Sequence, residues 1–156
     1  MSRVTLQRVL LTASTVLFIC FIFSNSLKTG ETSGQSSQMA QIFLMKIFEK
    51  LQIDISLTEF VIRKVAHFTE FFVLGLLLIG NLWVYFPKWK ECVFPFLFLA
   101  LLVPVIDETL QIFTPGRSPM VIDILIDFGG AICGLIIFSI VRALFCKKNA
   151  TPSTNG

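Results

Sequence analysis

Four long apolar blocks, separated by shorter polar ones, set the pattern of the chain. The first runs from Val9 to Phe23 after Arg3 and Arg8, and no charge falls between Val9 and Leu27. That is close to the ~20 residues a spanning helix needs, and a span over 9–27 is expected. The block also resembles a signal peptide, with a basic start and small residues at Ser24-Asn25-Ser26; the retained helix is the reading adopted. Residues 28–38 are rich in Ser, Gly and Thr and predict a loop. From Met39 to Ile53 the apolar positions Leu44, Ile47, Phe48 and Leu51 follow helical spacing, with Lys46, Glu49 and Lys50 on the other face. This segment is too short and too charged to span. An interfacial amphipathic helix over 39–53, inside an extracytoplasmic loop 28–55, is expected.

Ser56-Leu57-Thr58-Glu59 matches a capping box and predicts a helix from near Leu57. It continues through Arg63, Lys64, His67 and Glu70 to Phe86, and Pro87 ends it; its span is 66–86. Pro87 to Glu91 predicts a short loop. The third span covers 92–113, ending in Asp107, Glu108 and Phe113. Thr114-Pro115-Gly116-Arg117-Ser118-Pro119 has the composition of a tight turn. Ser118 as cap and Pro119 at the first helical position predict the fourth span, 119–141. Gly130 and Gly134 form a GxxxG face for close helix packing. Arg142, Lys147 and Lys148 close that helix, and 149–156 reads as a disordered tail. The whole of 1–148 reads as one domain.

Composition makes lipid the solvent. Hydrophobic residues are 54% of the 156, charged residues 15%, and mean hydropathy is +0.80, with 17 Phe. A soluble domain carries about 25% charged residues, and one this small cannot bury so much apolar surface. The expected class is an all-α integral membrane protein: four transmembrane helices plus the interfacial helix between the first and second. The four cysteines, Cys20, Cys92, Cys133 and Cys146, have no CxxC spacing and read as small apolar residues. The net charge of +3 is no nucleic-acid footprint. Its placement is informative. With both termini inside, Arg3, Arg8, Lys88, Lys90, Arg142, Lys147 and Lys148 are cytoplasmic, with Glu91 as their one acid. The positive-inside rule therefore predicts a cell-membrane protein with cytoplasmic N- and C-termini.

That topology gathers the remaining ionisable groups at one membrane face. Arg63, His67 and Glu70 follow i, i+4, i+7 and share a helix face; Asp107 and Gln111, and Asp123 and Asp127, are i, i+4 pairs. Charges at membrane depth are costly and turn inward, paired with one another. The expected ligand-binding set is Arg63, Lys64, His67, Glu70, Asp107, Glu108, Gln111, Arg117, Asp123 and Asp127. Acids can pair with Arg63, Lys64 and Arg117, and Arg117 beside a helix N-terminus suits an anion. His67, Glu70, Asp107, Glu108 and Asp127 are the candidates for proton transfer. The carboxylates are hard oxygen donors of the Mg²⁺ or Ca²⁺ type. One His and no clustered Cys make zinc the less favoured metal, and the chain is assigned no metal and no cofactor.

Three ordered stretches resemble the VanZ-like family of bacterial membrane proteins. Arg63-Lys64-Val65-Ala66-His67-Phe68-Thr69-Glu70-Phe71-Phe72-Val73-Leu74-Gly75 is similar to its "RKxAHFxEYxxLG" stretch. Asp107-Glu108-Thr109-Leu110-Gln111-Ile112-Phe113-Thr114-Pro115-Gly116-Arg117 is similar to "DExxQxFxPGR", and Asp123 to Gly130 to "DxxxDxxGG". Phe23-Ser24-Asn25-Ser26 resembles the "FSxQ"-type end of the first span, with Ser26 in place of Gln and outside the charged motifs. The family is named for a protein giving low-level resistance to teicoplanin. The resemblance implies a cell-envelope role whose chemistry it does not fix.

Three functions fit these residues. The first is an envelope protein whose extracytoplasmic polar pocket binds an envelope component, a lipid headgroup or a cell-wall precursor and, as the resemblance implies, lowers susceptibility to lipoglycopeptides. The second is a membrane-embedded enzyme acting on a lipid-linked or cell-wall substrate. The third, a small proton-coupled transporter, fits less well, because the acids cluster at one face and not near the midplane. The lipid bilayer is the expected partner. The oligomeric state stays open, since GxxxG serves packing within one bundle as well as self-association.

Overall fold

The computed structural model describes residues 2–50 and 58–150, and all its regular structure is helical. The helices are α1 (Arg3–Ser26), α2 (Gly30–Lys50), α3 (Glu59–Tyr85), α4 (Trp89–Ile112) and α5 (Val121–Ala150). All but α2 are long and apolar enough to cross a membrane. They run up and down in turn, so α3 and α5 point the same way.

Several boundaries differ from the sequence expectation. The 28–38 stretch is not a loop, because α2 begins at Gly30. Thr29 Oγ1 accepts the Thr32 N–H at 3.4 Å, and Glu31 sits in the first turn, where acids favour the helix dipole. These local signals outweigh the Ser and Gly content. The side chains of Leu44, Ile47, Phe48 and Glu49, and residues 51–57, lie outside the described set, so the apolar stripe expected over 39–53 falls largely on them. Ser56 of the expected capping box falls there too. The cap of α3 is Thr58, whose hydroxyl accepts the Val61 N–H at 3.3 Å. The next loop is shorter than expected, since Trp89, Lys90 and Glu91 already belong to α4.

Ser118 and Pro119 do not start the last helix. The Met120 N–H donates to the Glu108 carboxylate at 3.0 Å, which holds the chain extended until Val121. At its other end α5 reaches Ala150, so Asn149 and Ala150 are helical and not tail; 151–156 lie outside the described residues. Two prolines, Pro95 and Pro104, sit inside α4. Each removes a backbone donor, a loss that spanning helices tolerate inside a bundle.

The closest packing joins α3 to α5. A Cβ on Gly130 would lie 2.5 Å from the Phe68 carbonyl oxygen, and one on Gly134 2.6 Å from that of Phe72. Gly75 of α3 abuts the Ala131 backbone in the same way. Small residues thus bring the two backbones together, where dispersion drives association without help from water. Around this seam Phe71, Leu74, Ile79, Phe96, Ala100 and Ile22 form the buried core. The first helix joins through polar contacts as well: the Thr12 hydroxyl donates to Asn81 Oδ1 at 3.2 Å, and Asn81 Nδ2 donates to Thr15 at 3.3 Å. Among the described residues Cys20, Cys92 and Cys133 are free thiols.

The two ends of the bundle differ in chemistry. At one end Arg142 stacks 3.4 Å above the Trp83 ring, Trp83 meets Trp89 at 5.3 Å, and Arg8 lies over Tyr85. This is the aromatic and basic collar of a membrane interface. The other end holds the acids.

Replacing Gly134 by Leu forces the α3–α5 seam apart, at a cost of about 1–3 kcal/mol from overpacking. Thermal unfolding in detergent should show a lower Tm for Gly134→Leu, and no loss for Gly129→Ala, where an added Cβ meets open space.

Candidate functional site

Burial of carboxylates defines the acidic end. Asp107 and Asp127 are 0% exposed, and Glu108, Gln111 and Asp123 are buried beside them. Such groups persist in an apolar bundle only when hydrogen-bonded or paired. Most of them are. The Ser26 hydroxyl donates to Asp107 Oδ1 at 2.6 Å. Gln111 Nε2 donates to Glu108 Oε1 at 2.9 Å and to Asp107 Oδ2 at 3.3 Å. Lys64 forms an ion pair with Asp123 and lies over the Phe60 ring. Glu70, partly exposed, accepts from Asn25 Nδ2 at 3.1 Å.

Helix register explains the arrangement. The shared α3–α5 direction places Lys64 opposite Asp123 and His67 opposite Asp127, one turn further along. From α4, the i, i+3 and i+4 steps bring Asp107 and Glu108 under one Gln111 amide. The His67–Asp127 pair differs from the others. His67 Nδ1 lies 3.7 Å from Asp127 Oδ1, beyond hydrogen-bond length. Neither that nitrogen nor either Asp127 oxygen has a hydrogen-bond partner among the described residues. One donor atom each from His67, Asp107 and Asp127 lies within 4.8 Å of the others, the only arrangement of this kind among the described residues.

In front of the cluster is an open cleft of about 200 Å³. Arg63, His67 and Glu70 line one wall, with Ala66 and Ile62. Asn25, Ser26, Lys28 and Arg117 close one end, and Ser33, Ser37 and Ala40 of α2 face α3 across it. The ten residues singled out in the sequence therefore lie at one end of the bundle but in two layers. Arg63, His67, Glu70 and Arg117 meet the cleft. Asp107, Glu108, Gln111, Asp123 and Asp127 stand behind it, and Lys64 is committed to Asp123.

Arg117 has a structural task as well. Its guanidinium donates to the carbonyls of Asn25 at 2.9 Å and Lys28 at 3.0 Å, not to a carboxylate. A cation there satisfies carbonyls left open at the end of α1 and complements its dipole. Burial, and next the like charge of Arg63, push the Arg117 guanidinium below its ordinary pKa, yet it stays charged at neutral pH. Gly116, at φ 73°, makes the turn that presents it. The Gly30 N–H donates to the Pro115 carbonyl at 2.9 Å, which pins the start of α2 to the same turn.

Sequence reasoning missed Asn25, Ser26 and Lys28. Ser26 in particular lies outside the charged motifs, yet it is buried and bonded to Asp107. The available signal was its place at the end of the first span, on the membrane face that carries the acids.

Four spanning-length helices with a buried acidic cluster at one end define a multi-pass helical membrane protein. The model of the VanZ/LLP1 family matches residues 10–142, and the chain belongs to that family. No curated protein and no solved structure matches it.

Replacing Ser26 by Ala leaves a buried carboxylate oxygen without its donor and should destabilise the protein by about 1–3 kcal/mol. Thermal unfolding in detergent checks this. Ser24→Ala, at an exposed position, serves as the reference and should stay within about 0.5 kcal/mol of wild type.

Proposed function

We propose that the protein binds an anionic lipid headgroup of the cell envelope in this cleft, at the outer membrane face, and thereby lowers susceptibility to teicoplanin-type lipoglycopeptides. The observation that carries the reading is the charge of the cleft: Lys28, Arg63 and Arg117 line it against the single acid Glu70. Arg63 has neither ion pair nor hydrogen bond among the described residues, so its five donors remain for a phosphate. Apolar Ile62, Ala40 and Ala66 on the same walls suit the first carbons of an acyl chain.

The outward orientation is supported by the opposite end, where Arg3, Arg8, Lys88, Lys90 and Arg142 accompany the aromatic collar. An interfacial place for α2 is supported by exposed Met39, Ile42, Phe43 and Met45. The resistance component rests on family membership. A second reading, a membrane-embedded enzyme with His67, Glu70, Asp107, Glu108 and Asp127 as proton carriers, is favoured by one observation: His67 lines the cleft while facing the unpartnered Asp127.

Native mass spectrometry of the detergent-solubilised protein tests headgroup binding. Phosphatidylglycerol should be retained over phosphatidylcholine, and Arg63→Gln should weaken that preference roughly tenfold. Equal retention of both lipids would refute the reading. In a sensitive Gram-positive host, wild type should raise teicoplanin tolerance, and Arg63→Gln should lose it at matched membrane levels. For orientation, single cysteines in a background lacking the native ones should label from outside at Ser118→Cys and from the cytoplasm at Lys88→Cys.

A further inference from the structure

The arrangement behind the cleft asks for something the protein's own groups do not supply. Asp127 is fully buried, and both its oxygens lack partners. Leaving such a carboxylate unsatisfied is costly, and most buried polar atoms are paired. No nearby cation pairs with it: Lys64 is engaged with Asp123, Arg117 with two carbonyls, and Arg63 lines the cleft without bonding Asp127. A proton shared with the imidazole does not close the gap, because 3.7 Å is too long for a hydrogen bond.

We propose that His67, Asp107 and Asp127 bind one divalent transition-metal ion, of the Zn²⁺ or Mn²⁺ class, between α3, α4 and α5. The donor set is one imidazole nitrogen and two carboxylates, which suits these ions better than all-oxygen Mg²⁺ or Ca²⁺. Its two negative charges balance the ion, so the loaded cluster is neutral in an apolar surround. Donors around an ion with ~2.1 Å bonds in a tetrahedral shell lie roughly 3.4 Å apart. The 3.7 Å between His67 and Asp127, and the 4.8 Å limit for all three, need a contraction of tenths of an ångström to somewhat over one. Asp107 is already oriented by Ser26 and Gln111, as metal-bound carboxylates are by their outer partners. His67 also lines the cleft, so the site lies directly behind the cleft wall. The three ligands come from the three stretches singled out by motif, one from each.

The inference does not rest on headgroup binding and fails separately from it. The test uses the full-length chain in detergent, with any purification tag removed and bound metal stripped by chelator. It is then titrated with Mn²⁺ and followed by electron paramagnetic resonance. His67 is the one histidine in the sequence, so an imidazole nitrogen coupling on bound Mn²⁺ reports this site. The expected result is saturable binding of one ion per chain with that coupling, displaced by Zn²⁺. Asp127→Asn should lose it, and Glu91→Gln at the opposite end should keep it. Ser26→Ala should weaken binding by about tenfold. Absence of a nitrogen-coupled signal in the wild-type protein overturns the proposal whether or not the variants fold. An unchanged signal in folded Asp127→Asn, or tighter binding of Mg²⁺ or Ca²⁺ than of Mn²⁺ and Zn²⁺, overturns it as well.

Discussion

The close approach of α3 to α5 governs what the acidic end can be. Gly75, Gly130 and Gly134 remove the side chains that would hold the two backbones apart. Because the helices run in the same direction, each turn of one stays opposite the matching turn of the other. The seam that packs Phe68 and Phe72 against glycine therefore also sets Lys64 against Asp123 and His67 against Asp127, a turn or two nearer the membrane face. Electrostatics alone would not choose these partners, since Glu108 also feels the charge of Lys64. Backbone packing fixes the register, and the pairing follows. A wider seam would let water or lipid reach groups that are now fully enclosed.

Much of this was legible in the sequence, for a physical reason. A helix in hydrocarbon must be apolar for about 20 residues, so the four spans announce themselves in composition. Ionisable residues bordering such spans carry a cost that marks them out, and the nine singled out that way do lie at one end, with Gln111 among them. Their division into cleft wall and buried layer was not legible, because it depends on how each helix is rotated in the bundle. The boundaries were less visible still. A Ser- and Gly-rich stretch looks like a loop until Thr29 and Glu31 are seen to start a helix there. Ser118 and Pro119 looked like a helix start until Glu108 was found holding the Met120 amide.

Arg117 shows how one residue can be correctly singled out and only partly understood. A basic residue in a turn between two acidic helix ends invites an anion. In the fold, two of its donors reach back to the first helix, and the turn that carries it also receives the Gly30 amide. The connections between α1 and α2 and between α4 and α5 are thereby tied into one structure. Charge placed there orders the rim of the cleft as well as contributing to its potential.

The first helix has a place in the order of assembly. Only Thr15, Ile22 and Ser26 of α1 are buried, and two of these three carry hydroxyls. Thr15 bonds to the Leu11 carbonyl of its own helix at 2.8 Å, so that buried hydroxyl has an acceptor within α1. Two of its partners at the acidic end, Asp107 and Arg117, lie some eighty to ninety residues further along the chain. Ser26 therefore has no Asp107 to bond until α4 exists, and these contacts of the site cannot form while only the helices before α4 have been made.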